Sequence, residues 1–359
     1  MTNAADTTLR SLWDTRAATT PDHVYCRFND ENWTVGALNA RINRLANALL
    51  DSGLAPGDRV AVMLPSHPDH IVAIFALAKV GLIRIPVNTH LKGAALDFVF
   101  RQFEPKAFIA DIAYSEVLAP IVKDALVSQA IWRGTEGADS FEGLIAASHE
   151  AAPAHRPHTD DIIAITPSSG TTGEPKGVLK TDRSLRAGPL GTIVLTGMKR
   201  GDVFLLWEPL HHGAGVAVLI AAIMEPITLA LVEKFSASRF WDQVRRYDVT
   251  HIHYLGGVLP ILLKQPESAS DRDHKVRIAW GGGCPVEVWK AFEDRFGVVL
   301  REGYGLSEMT TFVTVNPEGR LGSCGRALPI YETRLVDDDG KDVAVGEAGE
   351  IIDFRFVMV

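Results

Sequence analysis

Short apolar runs alternate with longer amphipathic ones along most of the 359 residues, the pattern of strands that cross to helices and return. Leu38, Ile42, Leu45, Ala46 and Leu49 fall on one helical face, which Thr34 can cap and Asp51-Ser52-Gly53 can end. Residues 60–64 then predict a buried strand, 70–80 a helix and 83–86 a second strand, together a βαβ crossover. Residues 106–110 predict another strand, and the Ala/Pro/His-rich segment 149–158 a linker. A second series predicts strands at 203–207, 227–232, 250–254, 276–280 and 298–300, with helices at 216–224, 236–247 and 285–296, the last opening on Pro285. After Thr333 the texture changes to short strands around the turn Asp337-Asp338-Asp339-Gly340. The expected fold class is α/β, in portions 1–158 and 159–330, followed by an incomplete β appendage at 331–359.

Composition narrows the function. A chain with 47% hydrophobic and 22% charged residues can bury sizeable cores. A net charge of −8 without a Lys/Arg-dense stripe argues against nucleic acid as a partner. Cys26, Cys284 and Cys324 are few, odd in number and widely separated, which predicts reduced thiols in the cytoplasm rather than a disulfide framework or a metal site. Residues 1–16 lack an apolar core of signal-peptide length. The apolar run 213–224 is too short to cross a bilayer and closes on Glu225-Pro226, so it predicts a buried helix and no transmembrane segment. Homo-oligomerisation stays open.

One run concentrates the chemistry: Ile165-Thr166-Pro167-Ser168-Ser169-Gly170-Thr171-Thr172-Gly173-Glu174-Pro175-Lys176-Gly177-Val178. Ser168, Ser169, Thr171 and Thr172 offer hydroxyl donors, Gly170 and Gly173 let the backbone approach an anion, and Lys176 adds a mobile charge. The spacing is not that of a Walker loop, because Gly177 follows Lys176 where a Mg-binding hydroxyl would be required.

This run closely resembles the signature of adenylate-forming enzymes, the group of acyl- and aryl-CoA synthetases, luciferase and peptide-synthetase adenylation domains. Three further motifs resemble that family in the same order. Pro209-Leu210-His211-His212-Gly213 follows a strand; the resemblance puts His212 beside the carboxylate pocket and His211 in place of an aromatic residue. Gly281-Gly282-Gly283-Cys284-Pro285 resembles the adenine-holding turn, with Gly282, Gly283, Cys284 and Pro285 as its counterparts. Tyr304-Gly305-Leu306-Ser307-Glu308 resembles the family's Tyr-Gly-x-Thr-Glu signature. There Tyr304 would stack on adenine beside Gly305, Ser307 would donate to the α-phosphate, and Glu308 would be the Mg²⁺ ligand. Residues 231–247 look most like the crotonobetaine/carnitine-CoA ligase branch.

The resemblance implies a large N-terminal domain of two stacked α/β subdomains plus the start of a small β-barrel, the family's small C-terminal domain being absent. It implies that ATP and a carboxylic acid give an acyl-adenylate, which CoA then takes up. Trp207, Tyr254 and Gly257, with His211 and His212, are expected around the acyl pocket. The ribose-binding Asp and the C-terminal Lys of the family have no counterpart before Val359, so a fragment with little turnover is expected. Two alternatives remain: a non-catalytic adenylate-binding module, and adenylation of another acid without transfer to CoA. For a peptide-synthetase substrate the segment 209–224 offers no carboxylate to meet an ammonium group.

Overall fold

The computed structural model describes residues 7–168, 176–310 and 312–356. Local signals start several elements where the sequence places them. The Thr34 hydroxyl accepts the Ala37 amide at 3.2 Å and opens helix Val35–Asp51, whose Leu38, Ile42, Leu45, Ala46 and Leu49 are all buried. His67 caps helix Pro68–Lys79 through its ring, and Pro68 fills the first turn where no amide is needed. Gly213–Met224 is apolar on all sides and is buried accordingly.

Two sheets carry the architecture. In chain order the strands are β1 (Val24–Phe28), β2 (Glu31–Thr34), β3 (Arg59–Met63), β4 (Ile83–Pro86), β5 (Ala107–Asp111), β6 (Gln129–Arg133), β7 (Ile162–Ser168) and β8 (Lys176–Thr181). There follow β9 (Val203–Leu206), β10 (Thr228–Leu231), β11 (His251–Leu255), β12 (Ile278–Gly282), β13 (Val299–Gly305), β14 (Phe312–Asn316) and β15 (Arg326–Ala327). The last two, β16 (Tyr331–Val336) and β17 (Glu350–Phe356), make an antiparallel ribbon. One sheet has the order β6-β5-β3-β4-β7-β8, and the other β15-β14-β13-β12-β11-β9-β10-β1-β2. Both are parallel except at their edges, where β8 pairs antiparallel with β7, β2 with β1, and β14 with both β13 and β15.

The expected division at 158/159 is corrected here. Strand β7 pairs with β4 and brings β8 with it into the first sheet, while β1 pairs with β10 and joins the second. The sheets therefore exchange sequence, and the chain passes for good into the second sheet only after Thr181. Segment 149–158 is no loose linker either. The Arg10 guanidinium holds the Pro153 carbonyl at 2.6 Å, and Asn47 holds those of His149 and Ala151 at 3.1 and 2.9 Å.

Strand alternation sorts side chains into three cores. Val60, Val62, Phe204, Leu206 and Trp280 face a central layer that includes helices Val35–Asp51, Pro68–Lys79 and Gly213–Met224. Their neighbours in sequence face outward. Ala61, Met63 and Ile85 pack with helix Gly93–Phe103, and Leu205, Ile252, Tyr254 and Ala279 pack with helices Phe240–Arg246 and Val286–Phe296. The result is five layers, helix-sheet-helix-sheet-helix.

Candidate active site

The carboxyl ends of the parallel strands are where an open α/β sheet leaves room for a ligand. At that edge lies a cavity of about 430 Å³. Four strand ends supply its rim: Thr166 from β7, Leu255 from β11, Gly282 and Gly283 at the end of β12, and Tyr304-Gly305-Leu306-Ser307 at the end of β13. His211, His212 and Gly213 come from the turn after β9, and Leu185, Gly188, Thr192, Val216 and Ile220 from helices Asp182–Thr196 and Gly213–Met224.

His212 caps the helix behind it, its Nδ1 accepting the Ala214 amide at 3.3 Å. A ring nitrogen that accepts carries no proton, so the neutral ring keeps its proton on Nε2, free to donate. Desolvation lowers the His212 pKa, Glu208 opposes this and His253 adds to it. His211 is pushed down to about 4, first by burial and then by His212, His90 and Arg84, so it is uncharged at neutral pH.

The glycines after Trp280 are required by their neighbours. A Cβ on Gly281 would lie 1.9 Å from the Tyr254 carbonyl, and Gly283 takes φ +76°, in the left-handed region. The Gly283 amide donates to Glu302 Oε1 at 3.0 Å, which fixes the turn. Beyond Gly305 the chain makes one 3₁₀ turn, Ser307–Met309, and leaves it at Thr310 with φ +71°. Two side chains hold this turn. Tyr331 donates its hydroxyl to the Met309 carbonyl at 2.8 Å, and the Lys180 ammonium donates to the carbonyl of Ser307 and to Thr310 Oγ1, the latter at 2.5 Å. Lys180 is buried, and burial brings its pKa down to about 8 against the pull of Glu308. Glu308 itself is exposed.

Of the expected site residues, His211, His212, Gly282, Gly283, Tyr304, Gly305 and Ser307 surround this one cavity. Ser169, Gly170, Thr171, Thr172 and Gly173 lie outside the described residues; Ser168 ends β7 and Lys176 begins β8, exposed. Tyr254 and Trp207 are corrections. Tyr254 points to the outer face, fully buried, with its hydroxyl donating to the Arg301 carbonyl at 3.1 Å. Trp207 packs outward on Phe235, its indole donating to the His253 carbonyl at 3.0 Å. Cys284 also turns into the outer core, where burial raises its thiol to about 12. Gly257 and Pro285 precede helices Val258–Leu263 and Val286–Phe296 and do not line the cavity.

Sequence reasoning missed Lys180, Arg84 and His253, which do line it. His253 is buried against Trp280, ring centroids 4.2 Å apart, and contacts the buried Glu208 carboxylate. Its signal was parity: one residue from Tyr254, it must face the other way.

Comparison with known proteins agrees with this layout. The chain matches the AMP-binding enzyme family over residues 13–352. It is 30% identical over 363 residues to a crotonobetaine/carnitine–CoA ligase of Salmonella paratyphi C, covering 96% of this chain and 70% of that protein. It is 33% identical over 322 residues to long-chain fatty acid transport protein 6 of Mus musculus, covering 87% of this chain and 52% of that protein. The inhibitor-bound N-terminal domain of FACL13 from Mycobacterium tuberculosis has the same fold, with a TM-score of 0.88 at 26% identity, covering 97% of this chain and 89% of that one. A match that spans nearly every described element, on a fold shared this closely, makes the chain a member of the AMP-binding enzyme family.

Proposed function

We propose that this protein is an AMP-forming carboxylate–CoA ligase. The observation that carries the reading is the convergence of the His212 turn, the Gly282-Gly283 turn and the Tyr304–Ser307 segment on one cavity at the carboxyl edge of the sheets. The family and the ligases among its relatives support ATP, a carboxylic acid and CoA as substrates.

In this reading a carboxylate oxygen attacks the α-phosphorus of ATP, the bond from that phosphorus to the bridging oxygen breaks, and pyrophosphate leaves. The CoA thiolate then adds to the acyl carbon, and AMP leaves with the electrons of the acyl C–O bond. The first step exchanges hydroxide, a poor leaving group, for AMP, a good one. Gly282 and Gly283 present bare backbone to a flat base, and Tyr304 covers its other face. The Ser307 hydroxyl donates to the α-phosphate, the Nε2 proton of His212 faces the substrate carboxylate, and Lys176 with the hydroxyls before it grips the outer phosphates.

Glu308 is the residue that would hold Mg²⁺, which neutralises the polyphosphate against the incoming anion. Among the described residues no three His, Cys, Asp or Glu side chains gather as a metal site. One exposed carboxylate fits an ion that takes its other ligands from phosphate and water. The three unpaired thiols support a cytoplasmic location. Among the described residues no helix is long and apolar enough to cross a membrane.

The test is product analysis. Incubated with ATP, Mg²⁺, CoA and a panel of acids, the protein should yield AMP, pyrophosphate and an acyl thioester in equal amounts. Formation of ADP, or AMP release that no acid stimulates, would refute the reading.

A further inference from the structure

Tyr304 apart, the titratable side chains lining the cavity are all bases. Among the described residues around it are Arg84, Lys180, His211, His212 and His253, and no Asp or Glu. Most of this set is already committed. Lys180 holds the turn that carries Ser307, His253 meets Glu208, and His212 caps its helix.

Arg84 is different. Strand alternation sends Ile85 into the outer core with helix Gly93–Phe103, so Arg84 points inward, towards the turn after β9. It is 5% exposed, and among the described residues its guanidinium makes one hydrogen bond, from Nη1 to the Leu210 carbonyl at 3.2 Å. Among the described residues no carboxylate pairs with it. Burial lowers its pKa to about 10, so it is still charged at neutral pH. Its imidazole neighbours do not compensate. His70 and His211 are held uncharged, at about 3 and about 4, and the His70 ring bonds to the Pro65 carbonyl at 3.1 Å while its Nε2 is buried without a partner among the described residues.

A buried guanidinium with no counter-charge is costly to the empty protein and is repaid only by an anion that arrives in the cavity. From β4 it reaches the turn after β9 through the Leu210 carbonyl, and so lines the cavity on the side of His211. We propose that Arg84 receives a second carboxylate on the acid substrate, so that this protein activates dicarboxylic acids. The proposal rests on the ligase reading above and specifies its substrate. One carboxylate enters the adenylation chemistry unchanged, while the other forms a charge-assisted, two-pronged pair with the guanidinium. An acid bearing a permanent positive charge in that place would meet a like charge with no carboxylate among the described lining residues to relieve it.

The test compares straight-chain dicarboxylic acids, monocarboxylic acids of equal carbon number, and a trimethylammonium acid, by acid-dependent AMP formation. The wild type should prefer its best dicarboxylic acid over the matched monocarboxylic acid by at least tenfold in kcat/KM, with the trimethylammonium acid slowest. Arg84→Met should abolish that preference with the KM for ATP unchanged, and Arg84→Lys should restore part of it. A wild-type preference for monocarboxylic acids, or an unchanged ratio in Arg84→Met, overturns the proposal. So does a variant that loses all acids equally while its KM for ATP rises, because the guanidinium would then hold a nucleotide phosphate. If no acid is turned over at all, direct calorimetry of the dicarboxylic acids decides Arg84 independently of the ligase reading. Binding to wild type that is lost in a folded Arg84→Met variant sustains the site, and no binding to wild type removes it.

Discussion

Lys180 Nζ donates to Thr310 Oγ1 at 2.5 Å and also reaches the Ser307 carbonyl, which ties the β7–β8 hairpin to the turn that presents Ser307 and Glu308. Thr310 is held at φ +71°, a conformation β-branched residues rarely adopt, so the turn needs such a brace. Lys180→Met should therefore lower kcat by roughly ten- to a hundredfold, the range expected for losing about 1.5 to 3 kcal/mol of charge-assisted hydrogen bonding. The KM for the acid should change little. Steady-state kinetics check this, and an unchanged kcat would mean the turn holds without the ammonium.

The same lysine predicts a pH dependence. Folded, it titrates near 8, below its ordinary value of 10.5. Between those values the unfolded chain binds more protons, so the contribution of Lys180 to stability rises with pH through that window. Below pH 8 the burial cost is paid in full. The Tm of wild type minus that of Lys180→Met should increase from pH 7.5 to 9.5 by roughly the shift in linkage; a falling difference would contradict the assignment.

Tyr254 and His253 separate a core role from a site role by a single residue. Tyr254→Phe should cost about 1 kcal/mol of stability, for the hydroxyl bond to Arg301, and leave kinetics untouched. A change in the KM for the acid without a change in Tm would put Tyr254 back at the pocket.

That pair also shows why the sequence was legible only in part. A strand near the site could be read from its apolar run at 250–254, but choosing the face needs the register, and a slip of one residue exchanges every side chain. Trp207 was misplaced for the same reason. The motifs whose chemistry is local, such as Gly281-Gly282-Gly283 and Tyr304–Glu308, could be found because backbone freedom and residue type are written at those positions. Arg84 could not, since its neighbour Leu210 is 126 positions away and nothing local marks the guanidinium as unpaired. The placing of β1 in the second sheet and β7 in the first was equally silent, because their partners β10 and β4 lie far away in the sequence.

Lys176 and Glu308 predict different nucleotide profiles. Lys176→Ala should weaken ATP by roughly 1 to 3 kcal/mol while AMP binding stays near wild type, since the ammonium serves the outer phosphates. Glu308→Gln keeps size and removes charge, so it should weaken ATP only when Mg²⁺ is present. Calorimetry with ATP and AMP, with and without Mg²⁺, checks both; equal losses for the two nucleotides would contradict the Lys176 role, and unchanged Mg²⁺-dependent binding the Glu308 role.

The central claim is that the cavity at the carboxyl edge of the sheets holds an acyl-adenylate. Its most direct test is the Tm of the purified protein with a non-hydrolysable acyl-adenylate analogue, because a ligand that binds only the folded state stabilises it by mass action, about 2.7 kcal/mol at a hundredfold excess over Kd. The account predicts a Tm that climbs with the logarithm of analogue concentration and climbs less for Ser307→Ala. A folded protein whose Tm ignores saturating analogue would contradict it.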